Sequence, residues 1–136
     1  MNKLWTTLAL SLMTLLILAN MVPAAQTRLS QSTETPAEVT VTFADAPLRT
    51  MTETPFLITI TDASGEVVQD ADLTIRLDMP AMPMPPNHPA ATWRDGAYRG
   101  TAIFTMAGAW QMILEIKQPG EATQKIVFDI DRVLMK

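Results

Sequence analysis

Apolar and polar residues alternate with a period of two through most of the chain beyond residue 36. In Ala37–Phe43 the positions of Val39, Val41 and Phe43 are separated by threonines, and Pro55–Thr61 repeats the pattern around Phe56, Ile58 and Ile60. Leu73, Ile75 and Leu77 alternate with Asp72, Thr74 and Arg76, and Trp110, Met112, Leu114 and Ile116 alternate with Gln111, Ile113, Glu115 and Lys117. A period of two with β-branched residues specifies strands with one buried face. Shorter strands are expected over Glu66–Val68, Ala91–Trp93, Ala97–Phe104 and Thr123–Asp129. Between them lie turn sequences: Asp62-Ala63-Ser64-Gly65, Arg94-Asp95-Gly96, Met106-Ala107-Gly108-Ala109 and Gln118-Pro119-Gly120-Glu121. About seven short strands and no helical periodicity predict an all-β fold, an immunoglobulin-like antiparallel β-sandwich.

The N-terminus follows a different rule. Lys3 precedes an apolar run from Leu4 through Ala19, the pattern of an export signal, with small residues before Ala25 suited to cleavage after Ala24. At roughly 1.5 Å per residue the run also approaches the hydrocarbon thickness of a bilayer, so an uncleaved anchor is the alternative. Either form puts the domain outside the cytoplasm, periplasmic or secreted. The expected organisation is a signal or anchor at 1–24, a polar linker at 25–36, a β-domain at 37–131 and a short tail at 132–136.

The 136 residues suffice for one core. The chain has no cysteine, which excludes disulfides, thiolate zinc sites and cysteine nucleophiles. Its net charge of −4 is dispersed, without the clustered Lys and Arg of a nucleic-acid surface. No nucleophile elbow, zincin motif or phosphate loop occurs, and the single histidine cannot form a two-histidine site. The reading is therefore not an enzyme. Asp70 with Asp72, and Asp129 with Asp131, read as solvated charge at strand ends. Asp62, Ser64 and Glu66 fit a hairpin turn better than a calcium loop, which needs a glycine where Val67 stands. Trp93, Tyr98, Phe104 and Trp110 read as core or rim.

One stretch resists a scaffold role. Asp78–Pro89 contains five prolines in twelve residues, which removes backbone donors and dictates a stiff, extended loop. It carries Met79, Met82, Met84 and His88 at the spacing Met-x-x-Met-x-Met-x-x-x-His. Soft thioethers with one imidazole form the ligand set favoured by Cu(I), with Met82, Met84 and His88 the better candidates. The same residues also suit a loop that packs over the open end of a sandwich, or an adaptable apolar surface docking on a membrane transporter, an assembly factor or another copper-handling protein.

The segment Asp78-Met79-Pro80-Ala81-Met82-Pro83-Met84-Pro85, followed by Gly96-Ala97-Tyr98 and Phe104-Thr105-Met106-Ala107-Gly108-Ala109-Trp110, resembles the YtkA-like family of exported domains. A weaker resemblance is to FixH-type proteins, which are membrane-anchored and accompany a cation-transporting ATPase. These resemblances imply an immunoglobulin-like sandwich outside the cytoplasm and a link to copper or other heavy-metal handling.

Overall fold

The computed structural model describes residues 25–33 and 38–136; the expected export segment and the end of the expected linker lie outside them. Eight antiparallel strands form two sheets: β1 (Thr27–Ser32), β2 (Glu38–Phe43), β3 (Thr54–Thr61), β4 (Asp72–Asp78), β5 (Ala91–Arg94), β6 (Ala97–Ala102), β7 (Gly108–Lys117) and β8 (Gln124–Val133). One sheet has the order β1-β2-β3-β6-β5 and the other β4-β7-β8. Leaving β1 aside, this is the ABED-against-CFG arrangement of an immunoglobulin-like sandwich.

Alternation becomes burial. Val39, Val41 and Phe43 from β2, and Phe56, Ile58 and Ile60 from β3, face Trp110, Met112, Leu114 and Ile116 from β7. Each such side chain stabilises the fold by about 1.5–3 kcal/mol. Phe104 anchors one end of this core, edge-on to Phe43 at 5.9 Å and to Trp110 at 5.4 Å between ring centroids. Ile113, on the outer face in register with Arg76 and Val127, is buried as well.

The structure corrects four expectations. Thr27–Ser32, expected within the linker, is a strand in full register with β2. It has no alternating apolar face, and only Leu29 packs on the core. Its order comes from the free edge of β2 and from polar links: Ser30 Oγ lies 3.1 Å from Thr40 Oγ1, and Gln31 Nε2 donates to the Val127 carbonyl across the sandwich edge. The expected tail is structured, because β8 runs to a buried Val133 and Leu134 bridges to Arg49. Glu66–Val68 makes only a single bridge, Thr61 to Val67, because Asp62 Oδ1 accepts from Ser64 Oγ at 2.6 Å, Ser64 N at 2.9 Å and Glu66 N at 3.0 Å and closes a tight turn. The Ser64 hydroxyl above all, with these amides, holds the Asp62 carboxyl below its ordinary range. Finally, β6 stops at Ala102, and Phe104 instead bridges in parallel to Thr50.

The Asp95-Gly96 turn between β5 and β6 has the positive φ angles, 50° and 80°, of a tight two-residue hairpin. It sets Tyr98 beside Trp93, with ring centroids 5.0 Å apart. Tyr98 Oη donates to Val68 O at 2.9 Å and accepts from Ala71 N at 3.0 Å, tying the β3–β4 connection to the larger sheet.

Candidate functional site

The Met-Pro loop leaves the end of β4 and crosses to β5 in the other sheet. Its first residue turns inward: Met79 is 7% exposed and belongs to the core. Its N–H donates to Asp78 Oδ1 at 3.0 Å, and its Cε lies 3.2 Å from the position a Cβ on Gly108 would take. Met79 is therefore the buried foot of the loop. Met82, at the next bend, is 41% exposed, and Met84 is half-buried against the core edge.

The loop returns along the free edge of β4. Asn87 O accepts from Leu77 N at 2.9 Å, and Asn87 Nδ2 donates to Ile103 O at 3.0 Å. The loop thus covers part of an otherwise unpaired strand edge, which is also how sandwiches block edge-to-edge association. His88 follows, with Nδ1 3.1 Å from Ile75 O. A carbonyl only accepts, so Nδ1 carries the proton of this bond, and in the neutral ring Nε2 holds the free lone pair. Metal-binding histidines are commonly oriented by this type of backbone bond.

Met84 and His88 line one small cleft of about 160 Å³, walled by Arg76, Asp78 and Pro85. His88 also borders a groove of about 230 Å³ on the outer face of the smaller sheet, beside Arg76, Glu115 and Lys125. Of the four sequence candidates, then, Met84 and His88 share a cleft, Met82 projects from the same loop, and Met79 is turned into the core. Among the described residues no group of three His, Asp or Glu is placed to hold a metal, and the cleft wall brings Met84, His88 and the Asp78 carboxylate together.

The carboxylates paired in the sequence lie elsewhere, Asp70 and Asp72 around the start of β4 and Asp129 and Asp131 on β8. Asp129 Oδ1 accepts from Gln111 Nε2 at 3.0 Å. Asp70 and Asp72 line an open groove of about 430 Å³ with Trp93 and Tyr98. Burial pushes the Tyr98 hydroxyl up, the Ala71 bond opposes it, and the two aspartates add to the rise.

From sequence alone, neither Asn87 nor Met106 has a role at the site. Asn87 is the loop's clamp, and an amide among prolines is the signal that could have marked it, since it supplies donors its neighbours lack. Met106 sits in a turn yet remains 42% exposed, and a large apolar residue in a turn with no strand face to fill is unusual enough to notice.

No curated protein and no solved structure matches the chain. A family model described as YtkA-like matches residues 31–115, a span that holds β2 to β6, the whole Met-Pro loop and most of β7, and the chain belongs to that family.

Proposed function

We propose that this chain is an exported, non-enzymatic β-sandwich that binds a soft monovalent metal, Cu(I), and helps deliver it. The donors are Met82, Met84 and His88, with Met79 holding the loop from below. The observation that carries this reading is the cleft shared by Met84 and His88, in which the Nδ1 bond to Ile75 O leaves Nε2 free. Neutral thioether donors suit Cu(I) and are poorly matched to Zn(II), which usually recruits thiolate, imidazole or carboxylate.

A second reading has its own observation. Ile103 and Met82 are both about two-fifths exposed, at 40% and 41%, and a loop of flexible thioethers and prolines suits a metal-free contact with a membrane transporter or assembly factor. An anaerobic competition titration against a chromophoric Cu(I) chelator separates the two. The wild type is expected to withdraw copper from the chelator, and the Met82→Leu, Met84→Leu double variant to do so at least about tenfold less tightly. Competition by neither protein favours the metal-free contact, and equal competition by both removes Met82 and Met84 as the donors.

A further inference from the structure

Every exposed methionine among the described residues lies at one end of the sandwich. Among the described residues four of the six exposed large apolar side chains are methionines, namely Met51, Met82, Met106 and Met135, and none is a leucine. They come from segments far apart in sequence: the β2–β3, β4–β5 and β6–β7 connections and the residues after β8. Backbone bonds gather these segments. Met51 N donates to Phe104 O at 2.8 Å, and Thr50 N donates to Leu134 O at 2.9 Å.

The β4–β5 and β6–β7 connections are pinned to each other twice. At one pin the Met79 methyl packs under Gly108, and at the other Asn87 Nδ2 bonds Ile103 O. Met82 and Met84 lie between these pins on one connection, and Met106 lies between them on the other. Met106 is also held in place: Trp110 Nε1 donates to its carbonyl at 2.9 Å, and the neighbouring Phe104 is fully buried. Its backbone is thus fixed by the core while its thioether stays in solvent, an arrangement that packing alone does not require.

We propose that the soft-metal site extends onto the β6–β7 connection, with Met106 as a further thioether ligand to the ion held by Met82, Met84 and His88. This rests on the Cu(I) reading of the Met-Pro loop. Three thioethers and one imidazole complete a four-donor set for a soft monovalent cation, and drawing donors from two connections makes binding depend on the folded sandwich rather than on a free peptide.

The test uses protein labelled with ¹³C at the methionine methyls and titrated with Ag(I), a redox-inert substitute for Cu(I). At one equivalent the ε-methyl signals of Met82, Met84 and Met106 are expected to move together, while that of Met112, buried in the core, stays in place. Met106→Leu, which conserves volume, is expected to weaken Ag(I) binding about tenfold with an unchanged melting curve. Movement of Met82 and Met84 with Met106 stationary, or undiminished affinity in Met106→Leu, would overturn this inference and leave the loop site standing. Absence of any methyl movement would overturn both.

Discussion

The Cε of Met79 lies 3.2 Å from the position that a Cβ on Gly108 would occupy, so the start of β7 and the loop that leaves β4, neighbours in the smaller sheet, share one tight contact. Gly108 has a φ of +127°, where side chains are strained whatever the space. Gly108→Ala is expected to cost about 1–3 kcal/mol, and chemical denaturation measures it. Adding Met79→Ala would remove the steric part only, and the backbone strain would remain.

Met79 and Met82 are expected to answer mutation in opposite ways. Met79→Ala empties a core position and should cost about 2–5 kcal/mol. Met82→Leu should cost less than about 1.5 kcal/mol while lowering Cu(I) affinity. Met79→Leu, which preserves volume, should leave affinity near that of the wild type. Paired denaturation curves and chelator titrations check all three.

Gly100 has a different constraint. A Cβ there would collide with Ala90 O and come within 2.6 Å of Phe56 Cζ, and one of these is backbone that cannot swing aside. Gly100→Ala is expected to destabilise by roughly 1–3 kcal/mol, the range for forcing extra volume into a packed site, with a matching fall in melting temperature.

Tyr98 gives a pH signature. Its hydroxyl titrates above the ordinary tyrosine value of 10.0, because burial, Asp70 and Asp72 disfavour the phenolate. The folded state therefore holds this proton more tightly than the unfolded chain. The associated stability is fully present below about pH 10 and is lost as pH rises through the raised folded value. Urea midpoints between neutral and strongly alkaline pH should show this decline in the wild type and less of it in Tyr98→Phe. At neutral pH Tyr98→Phe should itself cost about 1–3 kcal/mol, since it leaves Val68 O and Ala71 N without their partner.

The sandwich was legible because its strands alternate cleanly: Val39, Val41 and Phe43, like Ile75 and Leu77, are buried where the period of two puts them. Thr27–Ser32 was not legible, since a strand held by its neighbour's edge needs no apolar face of its own. The Met-Pro loop could be recognised as a loop from its prolines. Its division of labour could not, because Met79 and Met82 look alike in sequence, and the contact that Met79 makes at Gly108 comes from a strand far along the chain. The same holds for His88, whose ring is oriented by a carbonyl of β4 that no local pattern reveals.

The most direct test of Cu(I) binding through Met82, Met84 and His88 is X-ray absorption at the copper edge. It should be recorded anaerobically on the Cu(I)-loaded wild type and on the Met82→Leu, Met84→Leu variant. The expected wild-type spectrum contains a sulfur shell together with the outer-shell scattering of one imidazole, and the sulfur shell shrinks in the variant. A wild-type spectrum with only oxygen and nitrogen neighbours, or one unchanged by the double substitution, would contradict the proposed site.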